Sequence, residues 1–159
     1  MKIPEPQRPS LSGYVDAGKL LPWKWVDARM DGAKNYWINT KTADFPSSRP
    51  VWGVWDSPIL LFSTGSAIGR NIAKDARVQV NLENADELVI IEGEAALLTD
   101  VAVGPVWAAA YNAKYNWDMP ESIEDVYQVT PKRVLAWLCD SSGLDGGVGF
   151  SNSATEWRF

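Results

Sequence analysis

From residue 36 to residue 98 the sequence reads as strand after strand, joined by links too short to cross a sheet. Tyr36-Trp37-Ile38-Asn39-Thr40 has the aromatic and β-branched make-up of a strand. Residues 41–48, with Pro46, Ser47 and Ser48, read as a loop. Strands are expected at 50–55 and 58–63, joined through Asp56-Ser57. Val78, Val80 and Leu82 alternate with Arg77, Gln79 and Asn81, so that strand has one apolar and one polar face. Asn84-Ala85-Asp86 makes a turn, and residues 88–98 run as a long strand with Gly93 as a bulge or bend. Parallel neighbours need a connection of a dozen or more residues, and most links here are shorter. The pattern therefore predicts about six strands in an antiparallel barrel, mainly β with peripheral helices (α+β).

Helices are expected around this sheet. Residues 19–34 carry Leu21, Trp25 and Ala28 at helical spacing, with Pro22 in the first turn. A short helix covers about 66–74, and residues 104–116 begin with Gly104 and Pro105. Ser122 with Asp125 resembles a capping box for a short helix at 122–128. Lys132 to Leu138 is a further strand, residues 140–149 a flexible loop, and the tail Ala154–Phe159 aromatic enough to pack. Residues 1–13 contain Pro4, Pro6 and Pro9 and read as an arm or disordered leader. The arm extends to residue 18, and one folded domain occupies 19–159.

The chain has 159 residues, 46% hydrophobic and 22% charged, with a net charge of −5. This is the composition of a soluble globular chain. No basic run is present, which argues against a nucleic acid or an anionic membrane as partner. The one cysteine, Cys139, has no internal disulfide partner and reads as a small buried hydrophobe; a cytoplasmic location fits. Histidine is absent, so Ser-His-Asp and Cys-His mechanisms are excluded and the commonest zinc ligand is missing. Nine tryptophans are many for this length, and several flank one segment, residues 49–83.

That segment holds the residues best suited to a ligand. Ser66 can cap the helix that follows it, leaving backbone N–H groups and the positive helix end for an anion. Thr64 adds a hydroxyl, and Gly65 permits close backbone approach. Arg70 and Asn71 on the first turns could reach the same anion; Arg suits phosphate because its donors form a planar fork. Ser66 also reads as an ordinary cap and Arg70 as a solvated residue. No Rossmann or P-loop glycine pattern is present. Trp52, Val54 and Trp55 lie on the adjoining strand, where a planar heterocycle could rest; Trp55 reads equally well as barrel core.

The order and spacing of these motifs resemble the pyridoxamine 5′-phosphate oxidase-like split-barrel flavoproteins, in particular their flavin/deazaflavin oxidoreductase branch. The likeness covers about residues 20–159. It runs through Leu21–Val26, Asn35-Tyr36-Trp37, Arg49–Trp55, Phe62–Ser66 and Arg70–Asp75. It continues in Glu92-Gly93, Lys114-Tyr115, Pro131–Trp137 and Thr155–Phe159. The resemblance implies a six-stranded split β-barrel that forms a homodimer, with FMN or deazaflavin F-420 at the dimer interface. It implies that Thr64, Gly65, Ser66, Arg70 and Asn71 hold the phosphate end, while Trp52, Val54 and Trp55 lie beside the ring. Trp137, Trp157 and Arg158 of the second protomer would close the pocket. One position departs from the family pattern: a lysine usually stands two residues before the arginine of the Arg-Asn pair, and here it is Ile68. If the phosphate docks at this helix start, Ile68→Lys is expected to tighten binding.

Two functions are carried forward. The first is an oxidoreductase moving hydride between FMN (or F-420) and a small conjugated substrate, with no catalytic acid or base singled out. The alternative is a non-catalytic flavin, haem or tetrapyrrole binder or sensor using the same pocket. Pyridoxamine 5′-phosphate oxidase activity itself is disfavoured, because its substrate pocket contains histidine in the enzymes that have it.

Overall fold

The computed structural model describes residues 1–10 and 18–159. Helix α1 (Trp23–Gly32) precedes strands β1 (Tyr36–Thr40), β2 (Ser47–Val51), β3 (Gly53–Asp56) and β4 (Ile59–Ser63). Helix α2 (Ala67–Ile72), strands β5 (Arg77–Asn81) and β6 (Glu87–Leu97) and helix α3 (Gly104–Tyr115) follow. Strand β7 (Val126–Leu138), helix α4 (Val148–Ser153) and strand β8 (Thr155–Arg158) complete the order.

Every strand pairing is antiparallel. The sheet runs β2-β1-β5-β6-β7-β4-β3, with β8 added on β7. β2 and β3 are the two ends of this path, yet Trp52 alone separates them in the chain. Two Cα–Cα steps span at most about 7 Å. The sheet must therefore curl until its ends meet at Trp52. No ladder joins β2 to β3 among the described residues, so the barrel closes at a seam.

The path has seven strands, not six. The stretch expected as one strand at 50–55 turns a corner at Trp52, and β2 begins inside the expected 41–48 loop. β2 reads as a loop because it is an edge: Ser47, Ser48 and Pro50 need no second ladder, and proline is tolerated at a sheet edge. The helix expected at 122–128 is absent. The Ser122 hydroxyl accepts from Glu124 N at 3.1 Å, Asp125 is left-handed (φ 59°), and β7 starts at Val126. The cap-like serine thus closes a turn instead of opening a helix. The 140–149 loop gives way to α4 at Val148. The bulge falls between Glu92 and Gly93, and the aromatic tail forms β8.

Two apolar clusters share the sheet. Leu60 and Phe62 point into the barrel with Tyr36, Ile38, Ile91 and Val134. Leu61 points outward with Trp107, Tyr111 and Val126, beneath α3. Burial on both faces explains why Ile59-Leu60-Leu61-Phe62 is an unbroken apolar run. Val26 and Met30 of α1 add to the barrel core. Among the described residues no helix is long and apolar enough to cross a membrane.

The N-terminal segment meets β8 at Gln7. Gln7 and Glu156 exchange backbone hydrogen bonds at 2.9 and 2.8 Å, and Ile3 packs on the core. The remainder of the expected arm, residues 11–17, lies outside the described residues. The buried Glu156 carboxylate accepts from Gln7 Nε2, Arg133 Nε and Arg158 Nε. Burial opposes its charged form, but hydrogen bonds from Arg158 and Arg133 outweigh that and hold its pKa below the usual carboxylate value.

Trp157 is fully buried and meets Trp23 edge-on, with ring centroids 5.2 Å apart. Trp157→Ala should cost about 3–5 kcal/mol in denaturant unfolding. A loss below about 1 kcal/mol would mean that the tail is not part of the core.

Candidate functional site

A cleft of about 340 Å³ opens at the seam of the barrel. One wall is Arg49-Pro50-Val51 of β2; the other is Ser63, Thr64 and Ser66–Ile68, where β4 turns into α2. Its polar side chains are Arg49 and the hydroxyls of Ser63, Thr64 and Ser66. Thr64 Oγ1 and Ser66 Oγ are hydrogen-bonded to each other at 2.7 Å. Ser66 Oγ caps α2 by accepting from Ile68 N, and Thr64 Oγ1 accepts from Ser66 N, both at 3.2 Å. Thr64 N donates to Asp125 O at 3.0 Å, which ties the turn to the start of β7. In the Thr64–Ser66 bond the donor keeps one lone pair and the acceptor keeps its own proton, so the pair has one hydroxyl proton left to donate. Arg49 is exposed and donates to the Ser48 carbonyl at 2.8 Å. Among the described residues no group of three acidic or cysteine side chains could hold a metal ion.

Gly65 is exposed at this turn, and a Cβ there would lie 3.6 Å from Asp125 Oδ2. A carboxylate therefore flanks the turn on that side, and the positive charge comes from Arg49. Arg70 is exposed but does not line the cleft. Asn71 is committed elsewhere, donating from Nδ2 to Thr40 Oγ1 of β1 at 2.9 Å. Thr64 and Ser66 of the expected phosphate group thus line the cleft, with Gly65 at the turn between them, whereas Arg70 and Asn71 stand off it. Arg49 is the functional candidate that site reasoning from the sequence missed. Its only signal in the sequence is a cation directly before Pro50, within the segment that holds the other candidates.

The expected ring-side residues separate. Trp55 is only 8% exposed and faces the barrel core, its Nε1 donating to Asp27 Oδ1 at 3.0 Å. Val54 packs outward on the cluster beneath α3. Strand alternation sends these neighbours to opposite faces, so neither lies against the cleft. Trp52 is 42% exposed at the seam. It stacks on Tyr115 at 4.7 Å with rings 2° from parallel, and Trp117 meets it edge-on at 5.9 Å. Extending the Gly53·Phe62 register by one step puts Trp52 opposite Ser63, a cleft residue.

The three C-terminal candidates are elsewhere in this protomer. The cleft adjoins Val126, the partner of Ser63, whereas Trp137 lies near the far end of the same strand, edge-on to Phe150 at 5.2 Å. Trp157 is buried in the core and has no surface to offer a ligand. Arg158 holds Glu156 and lines a separate groove with Phe159, Pro131 and Lys132.

Ile68 is 2% exposed and belongs to the barrel core. Its neighbour Gly69 is required by close approach: a Cβ there would come within 2.5 Å of Tyr127 Oη. The expectation that Ile68→Lys tightens binding is therefore overturned, because the new ammonium would be buried without a partner. Ile68→Lys should lower the unfolding midpoint strongly, by roughly 3–5 kcal/mol, or prevent folding. Wild-type stability in thermal and denaturant unfolding would show that residue 68 faces solvent after all.

No protein-family model and no curated protein matches this sequence. Solved structures match its architecture at low identity. A candidate pyridoxamine 5′-phosphate oxidase from Listeria innocua superposes with a TM-score of 0.59 at 16% identity, over 71% of this chain and 95% of its own. An F420 reductase gives 0.53 at 18% identity, over 68% and 94%. An FAD-binding protein from Mesorhizobium loti gives 0.58 at 12% identity, over 87% and 96%. With its curled antiparallel sheet and open seam, this chain has the split-barrel fold of the pyridoxamine 5′-phosphate oxidase-like proteins.

Proposed function

We propose that the chain is an oxidoreductase that binds a flavin-type cofactor at the seam cleft, FMN or alternatively deazaflavin F-420. The observation that carries this reading is the convergence of Arg49, Thr64 and Ser66 on one cleft. A guanidinium fork and the one hydroxyl proton that the Thr64–Ser66 pair leaves free fit a phosphate group. Pro50 and Val51 supply an apolar wall, and Trp52 stands at the rim. Three structural neighbours carry names that tie this fold to flavin or deazaflavin ligands and redox chemistry.

The cleft of about 340 Å³ is at the small end of ligand pockets, which span roughly 300–1,000 Å³. One protomer therefore supplies a shallow site, which favours closure by a second copy in a homodimer. In that arrangement Trp137 and Arg158, absent from the cleft of their own protomer, face the partner's, Arg158 while it also holds Glu156. When bound, the cofactor supplies hydride transfer to or from a small conjugated molecule. The protein's part is to anchor the phosphate end, hold the ring against the seam and keep water out. Arg49 is the one ionisable side chain lining the cleft among the described residues. That favours direct hydride movement, with protons taken from solvent. It also keeps a second reading in view, a flavin or tetrapyrrole binder that never turns over.

Titration of the purified protein with FMN and with F-420 tests the proposal. One of them should bind, and Arg49→Ala should weaken it by roughly ten- to a hundredfold, the worth of one charge-assisted hydrogen bond. Bound cofactor that is reduced and then reoxidised by an added conjugated acceptor supports the enzyme. A pigment that never cycles supports the binder. Binding of neither cofactor removes the redox reading.

A further inference from the structure

Two adjacent side chains at the end of α3 hold the seam from outside. Tyr115 Oη accepts from Gly53 N at 2.9 Å. Its own proton goes to Lys34 O at 2.8 Å or Gly53 O at 2.9 Å. Lys34 lies two residues before Tyr36, and Gly53 two residues after Val51; Tyr36 and Val51 are themselves cross-strand partners. One hydroxyl thus touches both flanks of that pair. Lys114 adds a second tie: its Nζ donates to Tyr36 Oη at 2.7 Å, and Tyr36 Oη donates to Met30 O at 2.5 Å. Lys114 also lies over the Tyr36 ring at 4.9 Å. Burial lowers the Lys114 pKa, Asp31 opposing, and raises that of Tyr36. The Tyr115 ring completes the arrangement by stacking on Trp52.

These contacts fall where the sheet supplies none. β2 and β3 share no ladder, and the cleft wall Arg49–Val51 hangs between β1 and the Trp52 corner. We infer that the Lys114-Tyr115 pair is a clamp that sets the position of the Arg49–Val51 wall, with Tyr115 as a positioning residue for whatever occupies the cleft. The inference rests on the proposed cofactor reading only for its functional consequence; the clamp itself is a statement about this chain's own residues.

Tyr115→Phe tests it, because the ring and its stacking on Trp52 survive while the hydroxyl is lost. Amide exchange over residues 49–53 should accelerate several-fold, while exchange in the β6–β7 ladder stays at the wild-type rate. Affinity for FMN, read by flavin fluorescence, should fall several-fold, up to roughly tenfold. Lys114→Met should act in the same direction through Tyr36. Unchanged exchange at 49–53 would overturn the clamp. Faster exchange with wild-type FMN affinity would overturn the positioning role. Should the wild-type protein bind neither FMN nor F-420, the cofactor reading and the positioning role built on it fall together, while the exchange data still decide the clamp.

Discussion

A single residue, Trp52, joins the two ends of a seven-stranded sheet. Everything distinctive about the molecule depends on that short link. It forces the sheet to curl, because the end strands can be no farther apart at that corner than two peptide units allow. It also leaves the closure without ladder bonds, so the barrel has a seam. The cleft lies along this seam, and α3 crosses it from outside. The core inside the barrel and the smaller cluster beneath α3 are the two faces of the same β4 strand.

This geometry explains why the candidate ligand groups fall on edges and turns. Arg49 sits on a strand bonded on one side only, and Thr64 and Ser66 on the turn into a six-residue helix. Such places leave side chains and backbone groups unclaimed by the sheet. Interior positions of the same segments are claimed. Trp55, Ile68 and Trp157 are buried, and Asn71 is spent on Thr40. On the α2 turn, what is left to a ligand is the hydroxyl proton that the Thr64–Ser66 pair does not use.

Much of this was legible in the sequence. Short links between β-rich runs fixed an antiparallel barrel, Gly93 marked the bulge, and Gly104-Pro105 opened a helix of nearly the expected length. The failures have physical causes. β2 was hidden because an edge strand tolerates serine and proline. The segment 122–128 mimicked a helix cap because the same serine chemistry closes a turn. Trp55 and Val54 looked like ligand neighbours because spacing along a strand does not say which face is already covered. The family resemblance implies a phosphate-binding lysine at position 68, but six residues of helix packed on a barrel leave one face buried, and Ile68 is on it. Arg49 went unremarked as a site residue because only the folded seam brings it opposite Ser66.

The central claim is that the seam cleft is the ligand site. Backbone amide chemical shifts recorded while FMN or F-420 is added test it most directly. The account predicts that the largest changes map to Arg49, Val51, Thr64 and Ser66, on the two walls of the cleft. Changes confined to the groove of Pro131, Lys132 and Phe159, or to the one beside Arg29 and Glu87, would contradict it.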